Sequence, residues 1–285
     1  MTLPFQVDLS RHTAIVTGGG GVLCSEMARA LAACGAAVAV ADLRRDAAES
    51  VAREITEAGG RALALPCNVL DRQSLEEANR ILEEEMGPAD LLINGAGGNH
   101  PKGTTAREFL EPDDLENAAR DGVTFYDLDP EGIAFVFNLN FLGTLLAAQA
   151  FTRSMARAGK GTVVNISSMT AFTPLTKVPA YGAAKAAVSN FTRWLAVHLS
   201  RVGIRVNAIA PGFFLTEQNR SLLTQADGGL TPRGRAILTH TPMNRFGSPE
   251  DLIGVLLWLV SDPGAAFVTG TVIPVDGGFS AYSGV

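Results

Sequence analysis

Residues 13–34 constrain the fold more than any other stretch of this chain. Thr13-Ala-Ile-Val-Thr-Gly18 is an apolar run ending in glycine, Gly19, Gly20 and Gly21 follow it, and a helical pattern occupies 22–34. Strand, glycine turn and helix in that order form a cradle in which backbone N–H groups and a helix N-terminus face a pyrophosphate. Further strands are expected at 37–41, 61–66, 89–93, 161–166, 204–210 and 271–275, with helices at about 74–86 and 249–260 between and after them. The alternation predicts an α/β protein: a doubly wound parallel sheet of about seven strands with helices on both faces, one domain over 1–285.

Composition agrees with that architecture. Hydrophobic residues make up 47% and charged residues 18%, enough to cover a sheet on both faces. The formal net charge of −6 leaves no basic footprint, which argues against nucleic acid as a partner. The N-terminus has no charged start followed by an apolar run, and no segment is read as reaching the roughly 18 apolar residues of a membrane span. The expectation is therefore a cytoplasmic protein with no membrane contact. Cys24, Cys34 and Cys67 are scattered without metal-ligand spacing and the four histidines form no cluster, so free buried thiols and no metal are expected.

Chemistry concentrates in 161–185. The run 161–166 reads as a buried strand that delivers Ser167 and Ser168 to its carboxyl end, where open α/β sheets bind ligands. Tyr181-Gly-Ala-Ala-Lys185 places a phenol and an ammonium one helical turn apart on the same face. A fixed positive charge there is expected to lower the phenol pKa and make it a usable proton donor and acceptor. An exposed helical Tyr with a solvated Lys is the plainer alternative.

Ser168, thirteen residues before the Tyr-x-x-x-Lys pair, resembles the arrangement in the short-chain dehydrogenases/reductases, and the resemblance covers nearly the whole chain. It implies a Rossmann-like sheet and an NAD-dependent oxidoreductase with Ser168, Tyr181, Lys185 and Asn140 as catalytic residues. Asn140 otherwise reads as a capping or packing residue. The glycine motif departs from the family's Thr-Gly-x-x-x-Gly-x-Gly, with Val22 and Cys24 where later glycines stand. Gly18, Gly20, Val22 and Leu23 are its expected cofactor contacts. Asp42, at the end of the second strand, would accept hydrogen bonds from a ribose 2′-hydroxyl and favour NAD over NADP. Arg44 and Arg45 compete with that reading or simply open the next helix in solvent. Asn68 and Val69 match the adenine-side position, Asn68 being equally a turn residue. Asn94-Gly95-Ala96-Gly97 resembles the family's Asn-Asn-Ala-Gly. Pro211-Gly212-Phe-Phe214-Leu-Thr216 resembles its Pro-Gly-x-Ile-x-Thr, which adds Pro211, Gly212, Phe214 and Thr216 to the cofactor set. The family also implies a homotetramer, with helices at about 141–158 and 181–202 in one interface and the last helix and strand in another.

Two stretches remain for the substrate. Residues 98–132 are acidic and irregular, with a charged surface helix expected at 108–121, and 213–246 read as a lid. The segments 22–27, 94–102, 171–177 and 213–220 together resemble a sugar-acid branch of the family that interconverts D-fructuronate and D-mannonate. A carboxylate substrate needs a partner once water is excluded. Lys102 is placed best by sequence, Asn99, His100 and Ser168 completing the site, while Arg220 and Arg245 compete. Other readings are a dehydrogenase of gluconate or of an acyl ketone, and a non-catalytic NAD-binding regulator.

Overall fold

The apolar runs become seven parallel strands in the computed structural model, which describes residues 7–116, 122–216, 220, 223–225 and 227–284. They are β1 (Thr13–Thr17), β2 (Ala37–Asp42), β3 (Arg61–Pro66), β4 (Leu91–Asn94), β5 (Gly161–Ile166), β6 (Ile204–Pro211) and β7 (Val272–Val275), in the order β3-β2-β1-β4-β5-β6-β7. The connections reverse direction between β1 and β4, so a crevice opens beyond the carboxyl ends of those two strands.

The flanking helices are α1 (Val22–Ala33), α2 (Arg45–Glu57), α3 (Arg72–Met86), α4 (Pro112–Glu116), α5 (Pro130–Ala158), α6 (Pro179–Leu199), α7 (Pro232–Thr239), α8 (Ile253–Val260) and α9 (Asp262–Ala265). Strand side chains alternate between the two faces. Val16, Ile93 and Val164 point to a core shared with Met27 and Leu31 of α1, Ile55 of α2 and Leu256 of α8. Ile15, Leu92 and Val163 point the other way, to Leu82 of α3, Phe151 and Met155 of α5 and Leu195 of α6. A slip of one residue in any central strand would exchange these two sets. Leu31 and Leu256 are wholly buried, and truncating either to Ala would cost roughly 2–5 kcal/mol.

Three expectations are corrected. The helix expected at about 141–158 begins well before residue 141 and carries Asn140 within it. It starts at Pro130, where the Asp129 side chain accepts from the Glu131 N–H at 2.8 Å and proline occupies the first turn, the usual asymmetry of a helix start. It passes through a π turn at Asn138–Leu142. With a mean hydropathy of 1.5 over its most apolar window, it is long and apolar enough to cross a membrane, contrary to the sequence reading. Here its second half lies against the sheet, burying Ala147, Phe151 and Met155, while Val136 of the first half packs on Ala180 and Ala184 of α6. The surface helix expected at 108–121 is confined, among the described residues, to α4, and residues 117–121 lie outside them.

Candidate active site

The crevice is built from backbone before any side chain enters it. Gly21 caps α1 without a side chain, so the first-turn N–H groups have no intrahelical acceptor and face the crevice. Gly18 has φ +64°, and a Cβ there would come within 2.8 Å of the Ala96 nitrogen, so the turns after β1 and β4 pack backbone to backbone. The Thr17 hydroxyl ties them, accepting from the N–H groups of Gly95 at 3.2 Å and Ala96 at 3.4 Å.

The resulting cleft has a volume of about 580 Å³. Of the residues expected to meet a cofactor, Gly18, Val22, Leu23, Asp42, Asn68, Val69, Gly95, Ala96, Tyr181, Lys185, Gly212, Phe214 and Thr216 line it. Gly21, Arg44 and Gly97, named in the motifs but not in that set, share the lining, and sequence reasoning did not anticipate Cys24, Leu43, Cys67, Gly98, Leu139, Ile166 and Phe213 there. Most of them are immediate chain neighbours of the motif residues, which was the available signal.

Gly20, Asn94 and Pro211 are not in the lining. A Cβ on Gly20 would meet the Ala47 Cβ at 2.6 Å, so this glycine lets α2 approach the turn. Its N–H donates to Asp42 Oδ2 at 3.0 Å. Asn94 is buried between strands, donating from Nδ2 to Asn165 Oδ1 at 2.9 Å, and its own Oδ1 is buried without a partner. Pro211 is buried at the end of β6 opposite Val275.

At the β2 end of the cleft, the Asp42 carboxylate also accepts from the Arg44 N–H at 2.9 Å. Arg44 Nε lies 3.9 Å from it, whereas Arg45 reaches Glu49 on the solvent side of α2. Asn68 spends its side-chain oxygen on the Leu70 N–H at 3.0 Å, so its amide makes the expected turn while the residue still edges the cleft. Glycine backbones, a helix N-terminus and a carboxylate at one end fit an elongated anionic dinucleotide.

The other end, beside β4 and β5, brings together the residues expected to be catalytic. Ser168 starts a short turn, and its hydroxyl accepts from the Thr170 N–H at 3.2 Å. Ser167 fixes α6 from below, donating to the Lys185 carbonyl at 3.1 Å and pairing with Ser189 at 2.7 Å. Lys185 Nζ donates to the Ile166 carbonyl at 2.8 Å and lies 5.7 Å from the centre of the Tyr181 ring. Asn140 is wholly buried and grips Gly98, donating to its carbonyl at 2.7 Å and accepting from its N–H at 3.2 Å. A Cβ on Gly97 would touch both Asn140 Oδ1, at 2.7 Å, and Lys185 Nζ, at 3.1 Å, so that glycine marks where the groups converge.

The expected lowering of the Tyr181 pKa is not found. Burial raises the phenol pKa, against a smaller downward pull from its hydrogen bond with Ser168. Burial also lowers Lys185 to about 8. Both effects are the cost of placing a charge where water is scarce.

Of the expected substrate residues, Ser168 meets Tyr181 through a hydrogen bond, whereas Asn99, His100 and Lys102 are not in the cleft lining and bond locally. The Asn99 side chain donates to Thr104 Oγ1 at 3.0 Å, His100 Nδ1 accepts from the Lys102 N–H at 3.2 Å, and Lys102 Nζ pairs with Asp129 at 2.8 Å. Arg245 is held by Asp251 through two bonds of 2.6 and 2.8 Å. Arg220 is exposed, with Glu217–Asn219 of its segment outside the described residues. Among the described residues no group of three or more His, Cys, Asp or Glu side chains is placed to hold a metal ion.

The profile of the short chain dehydrogenase family matches residues 12–227. The chain is 51% identical over 283 residues to the uncharacterized oxidoreductase UxuB of Bacillus subtilis, covering 99% of this chain and 100% of that one. A crystal structure from Haemophilus influenzae with bound NAD, provisionally named a D-mannonate oxidoreductase, shares 53% identity and superposes with a TM-score of 0.92 over 98% of each chain. The 7alpha-hydroxysteroid dehydrogenase of Escherichia coli K12 is 34% identical over 270 residues, 95% of this chain and 94% of its own.

Proposed function

Because this chain belongs to the short-chain dehydrogenase/reductase family and is an NAD-dependent oxidoreductase, we propose that it interconverts D-fructuronate and D-mannonate. The observation that carries the reading is the 53% identity, over 98% of each chain, to the NAD-bound structure provisionally named a D-mannonate oxidoreductase.

When bound, the reduced dinucleotide supplies a hydride to the ketone carbon of the substrate. Ser168 and Tyr181 offer hydroxyl groups to the ketone oxygen. As that oxygen gains charge, Tyr181 transfers its phenolic proton to it, leaving a secondary alcohol and a phenolate. The raised phenol pKa suits this direction, since the proton is still present when substrate arrives. Lys185, tethered to Ile166, stabilises the phenolate, and Asn140 keeps the turn after β4 in place. Oxidation runs through the same groups in reverse. Donors fixed in advance on a developing alkoxide supply much of the rate enhancement in such sites.

In open-chain fructuronate the carboxylate is separated from the ketone by hydroxyl-bearing carbons, so its partner lies beyond Ser168 and Tyr181. Lys102, with Asn99 and His100, is the proposed partner, reached by exchanging the exposed Asp129 pair for the substrate. Such a pair contributes little to stability. We further propose a cytoplasmic homotetramer. Supporting this, Trp194 and Val197 of α6 are 56% and 78% exposed, and Trp194 stacks on Phe191, which packs against Phe141 of α5. An apolar ridge of this kind marks an interaction surface.

The test is turnover of purified protein with NADH and a panel of D-fructuronate, 5-ketogluconate and an acyl ketone. Highest kcat/KM on fructuronate is expected. Preference for another member reassigns the substrate, and NADH binding with no turnover indicates a regulator.

A further inference from the structure

Cys24 and Gly95 occupy one shared volume. Cys24 lies in the first turn of α1, and Gly95 is the first residue beyond β4. A Cβ built on Gly95 would overlap Cys24 Sγ and would also sit 2.9 Å from the Thr17 carbonyl oxygen. The sulfur therefore fills the space that any other residue at 95 would claim. Cys24 is 5% exposed and carries a free thiol, which burial pushes up to about 12, so it is a neutral packing group rather than a nucleophile.

The turn after β4 is held at three points. Thr17 takes the N–H groups of Gly95 and Ala96 from the β1 side. Asn140 takes both backbone groups of Gly98 at the far end. Cys24 is the contact with α1, whose N-terminus forms the opposite wall of the cleft. Packed interiors transmit a displacement of one methyl group, so the size of residue 24 and the lack of a side chain at 95 together fix how far apart the two walls stand.

We propose that Cys24 is the positioning residue that sets the width of the cofactor cleft, with Gly95 as its obligatory steric partner. The proposal rests on the reading of this cleft as the NAD site.

The experiment is a double-mutant cycle read by NADH affinity, from fluorescence titration, with circular dichroism and melting temperature recorded for each variant. Gly95→Ala should raise the Kd at least about tenfold, because the added methyl drives the walls apart. Cys24→Gly should raise it several-fold by letting them collapse into the vacated space. The combination Cys24→Gly/Gly95→Ala keeps the contact with the Thr17 carbonyl and should therefore recover only the Cys24 part of the loss, its Kd falling below that of Gly95→Ala alone and well below the product of the two single effects, the coupling expected of residues in contact. Losses that simply multiply in the double variant overturn the proposal, as do melting temperatures that shift while every Kd holds. A folded wild type that binds no NADH overturns the cofactor reading itself and this inference with it.

Discussion

The Lys185 ammonium stands 5.7 Å from the centre of the Tyr181 ring and is bonded instead to the Ile166 carbonyl at 2.8 Å. The cation is thus tethered to the end of β5 rather than bonded to the phenol. Lys185 is buried and Tyr181 half-buried, and the scarcity of water there raises the phenol pKa and lowers that of the ammonium to about 8.

Opposite pH trends in activity and stability should follow. Reductive kcat/KM should fall as pH rises past about 8, where Lys185 loses its charge. Between that value and its ordinary 10.5 the unfolded chain binds the proton more readily than the folded one, so the Lys185 contribution to stability increases with pH. Below about 8 both states hold the proton and the penalty is fully present. The difference in melting temperature between wild type and Lys185→Met should therefore change in favour of wild type from neutral pH to about 10. A melting-temperature difference that stays flat across that range would mean that Lys185 keeps its charge.

Replacing Tyr181 with Phe keeps the ring and deletes the proton. Turnover should drop by roughly 10²–10⁴-fold, while NADH affinity stays within about twofold because the ring remains against the cleft. Activity above a tenth of wild type would remove Tyr181 from the acid–base role.

Asp42 holds Gly20 and the Arg44 backbone as well as facing the cleft. Wild type should favour NAD over NADP by kcat/KM, and Asp42→Ala should shrink the ratio, since Arg44 is then released to meet a 2′-phosphate. A wild type that already prefers NADP would show Arg44 dominating this position.

For the substrate carboxylate, Lys102→Met should lower kcat/KM on D-fructuronate at least about fivefold, as expected when a charge-assisted hydrogen bond is lost, and leave NADH binding untouched. A value within about twofold of wild type would exclude Lys102 and direct the search to Arg220.

On assembly, light scattering should give a tetramer at micromolar concentration. Val197→Glu, placed on the exposed ridge of α6, should produce smaller species without a loss of helix content, because a buried unpaired charge is costly. A wild-type monomer would overturn the tetramer.

The strands were legible because each is an apolar run closed by a turn residue, and the Ser168, Tyr181 and Lys185 trio because its spacing survives in one dimension. The start of α5 was available too, in Asp129-Pro130, but an acidic and irregular composition around it concealed the cap. Other features depend on neighbours distant in sequence. Asn94 turns toward Asn165, Lys102 toward Asp129, and the Tyr181 proton responds to burial that no local pattern encodes. The glycine motif misleads in one respect. Gly20 serves helix packing against Ala47, while Gly21, which it overlooks, lines the cleft.

The π turn at Asn138–Leu142 makes α5 a helix with two phases. Each residue advances an α-helix by roughly 100°, so one residue too many lets the segment before it and the segment after it choose their facing directions separately. Up to Phe137 the rod is aligned to the loop that carries Lys102; from Gly143 onward it is aligned to the sheet. Deleting a single residue inside that turn would couple the two alignments again, and either the loop or the core would have to rotate out of register. The bulge therefore lets one rod serve two surfaces that a straight α-helix could not face at once.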